Sequence, residues 1–117
     1  MTTLEKIISA IDDATTLPIK PFGTTNIEEC ICYSFSSQRD DGAVARFQLE
    51  IRIICKDLIN LYENEGKIKS ALITVGDTVK INGINSIEQN GGGILKDFET
   101  GTIQSILYFD IIKKSEV

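Results

Sequence analysis

The residues able to do chemistry in this 117-residue chain are few, and the commonest of them is missing. With no histidine, the usual general base, proton shuttle and partner of a nucleophilic serine or cysteine is absent. A Ser-Lys or paired-carboxylate mechanism would remain, and the nearest carboxylate pairs are Asp97 with Glu99 and Asp40 with Asp41. Both pairs sit in turn-forming sequence, where adjacent acids ordinarily shape the turn and face water. Cys30-x-Cys32 places two thiols on one side of a strand, and Cys55 lies where a hairpin could bring it near them. A three-thiolate zinc site would still lack its fourth ligand, and the spacing is not the C-x2-C of common zinc sites, so the thiols read as packing residues. Gly91-Gly92-Gly93 precedes a strand where a phosphate loop should open a helix, and Gly66-Lys67 is followed by Ile68 where Ser or Thr is required. The expectation is a protein that is not an enzyme and needs no metal or cofactor.

The elements that would position these residues follow from periodicity. Leu4, Ile7, Ile8 and Ile11 recur at helical spacing, and Thr2 with Glu5 forms a capping-box start, so residues 3–14 read as a helix with one buried face. Pro18 ends that region, and Pro18 with Pro21 holds 18–22 extended as a short edge strand or ordered linker before Gly23. Residues 30–36 form the first arm of a hairpin, Gln38 to Gly42 its polar turn, and 43–55 its return arm. On the return arm Phe47, Leu49, Ile51, Ile53 and Cys55 face one way and Arg46, Gln48, Glu50 and Arg52 the other.

Asp57 can cap a second helix over 58–72, with Leu58, Leu61, Tyr62, Ile68 and Leu72 as its apolar stripe and Gly66 as a weak point. Beyond Gly76-Asp77 the chain reads as strands. Asn82-Gly83 is either a tight hairpin turn or a bulge in one bent strand, Asn90 to Gly93 a turn, and Ile94 to Phe98 a short strand. Glu99-Thr100-Gly101 turns into a long strand, Thr102 to Lys113, apolar on both faces and therefore expected in the middle of the sheet or under a partner. The fold class expected is α+β, a single domain over 1–117 with two helices packed on a largely antiparallel sheet.

Charge limits the partners. A net charge of −5 argues against a role that neutralises many phosphates, while allowing a wall past which DNA slides without sticking. An odd number of cysteines and an amphipathic rather than signal-like start suit a reducing cytoplasm, and no run approaches the ~18 apolar residues of a membrane span. A domain this small has a modest stability margin, to which self-association would add. The mixed charges of Arg46, Glu50 and Arg52, with the Arg39-Asp40-Asp41 tip, are the candidate contacts that would set register between identical subunits.

Taken together these segments resemble a known family over nearly the whole chain. The N-terminal helix leads to Leu17-Pro18, then to a hairpin with Tyr33-Ser34-Phe35 on one arm and Phe47-Gln48-Leu49-Glu50-Ile51-Arg52-Ile53 on the other. The ending runs Gly91-Gly92-Gly93-Ile94-Leu95-Lys96-Asp97-Phe98-Glu99-Thr100-Gly101 and then Ile106-Leu107-Tyr108-Phe109-Asp110-Ile111. In length, element order and turns this resembles the tail terminator, or tail completion, proteins of tailed phages and related prophage particles. The resemblance implies a tail-terminator-like fold and a homo-oligomeric ring, typically hexameric, that caps the last tail-tube ring and stops its polymerisation. It implies as partners the tail-tube protein and the head-completion or connector protein, with DNA only passing through the channel and no membrane. The place implied is the bacterial host cytoplasm during assembly and then the tail of a virion or phage-like particle. Another small head-tail connector, or a monomeric ligand-binding or regulatory module, are the alternatives.

Overall fold

Helix α1 (Thr3–Ala14) starts where local hydrogen bonding dictates. Thr2 Oγ1 accepts from the Glu5 amide at 3.1 Å, and Glu5 Oε1 accepts from the Thr2 amide at 3.3 Å, so two otherwise orphaned donors are satisfied. In this computed structural model residues 2–21, 29–75, 78–97 and 101–114 are described. Ile7 and Ile11 are fully buried while Leu4 and Ile8 are half-buried, so the apolar stripe is wider than the face the core takes.

Helix α2 (Leu58–Leu72) is capped by Asp57, whose Oδ1 accepts from the Asn60 amide at 2.8 Å, and it runs through Gly66 without interruption. Its buried line differs from the expected stripe: Leu61, Ile68 and Leu72 are buried, whereas Leu58 and Tyr62 are 44% and 53% exposed. Tyr62 stands one residue, about 100°, round from Leu61, so both cannot face the sheet. Glu65 fills the remaining position on the buried line, where its carboxylate accepts from Ser105 Oγ at 3.2 Å and pairs with Lys69 Nζ at 2.8 Å.

The strands are β1 (Ile19–Pro21), β2 (Cys30–Asp40), β3 (Val44–Cys55), β4 (Ser86–Asp97) and β5 (Thr102–Lys114). Among the described residues they form one sheet in the order β1-β2-β3-β5-β4, with β1 parallel to β2 and every other pair antiparallel. The fold is thus α+β, and β5 lies inside the sheet as its two apolar faces require. One face carries Leu49, Ile51, Ile53, Leu107, Phe109 and Ile111, and these pack with Ile7 and Ile11 of α1 and Leu61, Ile68 and Leu72 of α2 into the main core. Among the described residues the other face has no helix over it.

Three expectations change. The first hairpin arm is longer than residues 30–36, because Gln38, Arg39 and Asp40 remain in β2 and the turn is only Asp41 to Ala43. Asn82-Gly83 is neither a strand hairpin nor a bulge. It is an isolated turn closed by the Ile84 amide on the Ile81 carbonyl at 3.1 Å, before β4 begins. Asn90 to Gly93 is not a turn between strands either, since β4 runs through it with a bulge between Gln89 and Gly92 that absorbs the extra residues. Residues 22, 23 and 98–100, which carry parts of the expected first edge strand, the short strand and its turn, lie outside the described residues.

Candidate functional site: the open sheet face and the hairpin tip

Antiparallel partners share a face, so the register maps the uncovered side of the sheet row by row. Cys32, Arg52, Ile106 and Gly93 form one row, and Ser34, Glu50 and Tyr108 form the next. Ser36, Gln48 and Asp110 follow, and then Arg39, Arg46 and Ile112. Arg39, Arg46, Glu50 and Arg52, named from sequence, therefore lie on one surface. Arg39 would point to the opposite side by simple alternation. A register shift between Ser37 and Arg39 turns it to the side of Arg46.

Hydrogen bonds organise the middle of this surface. The Tyr108 hydroxyl is bonded to Glu50, which raises its pKa above the ordinary tyrosine value by favouring the protonated donor. Arg52 Nη1 donates to Gln104 Oε1 at 3.3 Å, Asn90 Nδ2 to Asp110 Oδ2 at 3.0 Å, and Gln38 Nε2 to Gln48 Oε1 at 3.3 Å. These contacts order a polar surface interleaved with Ile106, Ile112 and the exposed Leu95. Tyr108, Gln104 and Asp110 were missed from sequence because their partners are brought beside them only by the pairing of β5 with β3 and with β4.

Asp40 and Asp41 stand apart from this surface and shape the turn. Asp40 Oδ1 accepts from the Gly42 amide at 3.0 Å, and Asp41 Oδ1 accepts from the amides of Ala43 and Val44 at 2.9 and 2.8 Å. The bond from Val44, then that from Ala43, holds the Asp41 carboxyl below the usual aspartate range.

The thiols divide between the two faces. Cys30 and Cys32, with sulfurs 4.0 Å apart, form a small buried cluster with Ile54 on the open side, whereas Cys55 belongs to the main core. The hairpin that brings the three into neighbouring positions thus also separates them, and the described residues hold no group of three metal-ligating side chains. Burial pushes the Cys32 and Cys55 thiols up to about 11.

Besides a groove of about 360 Å³ where Asp13 lies with Lys6 and Lys80, α1 is flanked by two grooves with walls from the sheet. One, of about 410 Å³, has Leu4, Ile8 and Tyr33 as its apolar walls, with Glu5 and Asp12 at its rim. The other, of about 640 Å³, continues past Leu4 to Lys113 and the stacked rings of Phe35 and Phe47, whose centroids are 5.0 Å apart. The surplus width of the α1 stripe, with Leu4 and Ile8 beyond the two core isoleucines, is the sequence signal for the first groove.

The class these features define is an α+β protein with two helices on one face of a mixed five-stranded sheet and, among the described residues, no helix on the opposite, polar and partly apolar face. Among solved structures the chain is similar to one from a virion of a native gene transfer agent (GTA) particle, with a TM-score of 0.59 and 12% sequence identity. The alignment covers 93% of this chain and 84% of that one, and at that identity the likeness is one of fold. No family model and no curated protein matches the sequence. Among the described residues no helix is long and apolar enough to cross a membrane.

Proposed function

We propose that this chain is a structural protein of a phage or phage-like particle, and within it the tail terminator. Copies of the chain form a ring, six in number by the family resemblance, that caps the last tail-tube ring and offers a surface to the head-completion proteins. The observation that carries this reading is the fold shared with a gene transfer agent virion chain over 93% of the present one. The open sheet face supports it, since a surface with Ile106, Ile112 and Leu95 among ordered polar groups has the make-up of a subunit contact. The net charge of −5 suits a channel wall that repels passing DNA. In this role the protein acts by shape and contact, with no catalytic step and no cofactor.

The test is the solution mass of the purified protein by light scattering across a concentration series, repeated with its tail-tube partner. A hexamer-sized species in either condition, together with arrest of tube growth, is the expected result. A monomer in both, with tubes that grow unchecked, would overturn the reading.

A further inference from the structure

Two places on this molecule hold charges that no ion pair among the described residues offsets. Arg39 and Arg46 face each other directly across the β2–β3 ladder, an arrangement of like charges that is destabilising. Both are exposed, and no carboxylate of the described residues lies within ion-pair distance of either. Lys114, opposite Val44 on the same face, adds a third cation. Asp41, nearby in the turn, is held mainly by the amides of Val44 and Ala43 and attracts Arg39 more weakly, outside ion-pair distance. In a chain of net charge −5 these three cations share the open face of the hairpin's end, with Asp40 and Asp41 in the turn beside them.

The second place is the end of α1. Asp12 and Asp13 occupy its last turn, where the helix dipole is negative and carboxylates are disfavoured; Asp13 shares a groove with Lys6 and Lys80, whereas no basic residue of the last turn offsets Asp12. Asp12 forms the rim of the groove walled by Leu4, Ile8 and Tyr33. An aromatic ring beside carboxylates is the environment an arginine side chain fills best, because its stem packs on apolar surface while the planar guanidinium stacks on the ring and bonds the acid.

The tip cannot satisfy its own groove. Arg39 and Arg46 lie on the open face of the sheet, whereas the groove lies on the helix face, with Tyr33 of the same strand in its wall. We propose that the hairpin tip of one copy docks against the α1 groove of the next, Arg39 and Arg46 meeting Asp12 on the rim of the second copy's groove. This assignment rests on the ring reading and supplies its contact. Because the two surfaces differ, the interface is head-to-tail, the kind whose repetition closes a ring when the rotation allows it.

Complementary charge reversal tests it. The variant Arg39→Glu with Arg46→Glu and the variant Asp12→Lys are each expected to assemble at least tenfold more weakly than the natural protein, as read by light scattering in low salt. The aspartate variant also places a cation at the helix end that favours it, so its melting temperature holds or rises and unfolding cannot account for the loss. Mixed in equal amounts, the two variants are expected to recover assembly, because each reversed tip then meets a reversed groove in an alternating ring. Assembly of both variants at natural strength would overturn the assignment while leaving the ring intact, as would failure of the mixture to recover. No oligomer from the natural protein, alone or with the tube protein, would overturn the ring reading and this contact with it.

Discussion

A Cβ on Gly92 would sit 2.4 Å from the carbonyl oxygen of Ile106, its neighbour across the β4–β5 ladder. That contact is with backbone, so no side-chain rotation relieves it, and a larger residue at the bulge requires the backbone to shift. Gly93, one residue on, has nothing within 4 Å of the corresponding point. Gly92→Ala is therefore expected to lower stability by about 1–3 kcal/mol, and Gly93→Ala to change it by no more than about 0.5 kcal/mol. Urea unfolding of the two variants measures both values, and equal losses would remove the steric explanation.

Gly66 offers the reverse case. It lies within α2, its backbone is helical, and an added Cβ would meet open space. Replacing it with alanine should stabilise the protein by about 1 kcal/mol, the ordinary difference between these residues inside a helix. A loss on denaturant titration would contradict the helical backbone and open space found at Gly66.

How far the fold could be read from sequence depended on whether its signals were local. Both helices, with their caps at Thr2 and Asp57, follow from residues three or four apart, and the structure places them at Thr3–Ala14 and Leu58–Leu72. The long β3 strand announced itself by strict alternation. The glycine-rich stretch of β4 misled because Gly91-Gly92-Gly93 has turn chemistry, and its strand conformation is imposed by pairing with Ile106 and Leu107 some fifteen residues later. For the surface residues, sequence placed Arg46, Glu50 and Arg52 on one face by counting in twos. It could not place Arg39 beside Arg46, since that depends on the irregularity after Ser37. Asp40 and Asp41 were named as contact residues, and the structure gives them backbone amides to hold.

The line of burial on α2 makes its own forecast. Leu61 is fully buried and Tyr62 is 53% exposed, although the two are adjacent and both apolar in character. Leu61→Ala should cost about 2–5 kcal/mol as a core truncation, and Tyr62→Ala much less in the isolated chain. Thermal and denaturant melts separate the two. A similar cost at both positions would show that the helix is rotated about its axis from the orientation described.

The cysteines should behave as packing groups. All three are buried, and burial raises Cys32 and Cys55 to about 11 from an ordinary value near 9.0. In the native protein at pH 8 an alkylating reagent should modify them far more slowly than in denaturant, because the thiolate is the nucleophile. The same shift has a consequence for stability. An acid whose folded value is raised stabilises the fold fully below its unfolded pKa, and that contribution is lost as pH climbs from about 9 through about 11. The melting temperature should fall across that window and fall less in a variant with Cys32→Val and Cys55→Val. Rapid native alkylation would contradict the burial from which both expectations derive.

At the acid end the hairpin turn should be among the first places to loosen. Asp41 accepts two backbone amides through one oxygen, which holds its carboxyl below the ordinary aspartate value, so its contribution is present above the unfolded pKa and disappears as pH falls through the lower folded one. Amide exchange at Ala43 and Val44 reports this directly: their protection should hold at pH 6 and decline below about pH 4, ahead of amides in the middle of β3. Asp41→Asn keeps an acceptor oxygen and should retain part of the protection while losing its pH dependence, whereas Asp41→Ala should lose the protection at every pH. If the exchange of these two amides proved the same in all three proteins, the turn would be held by the strand pairing on either side of it, and the carboxylate would be a bystander.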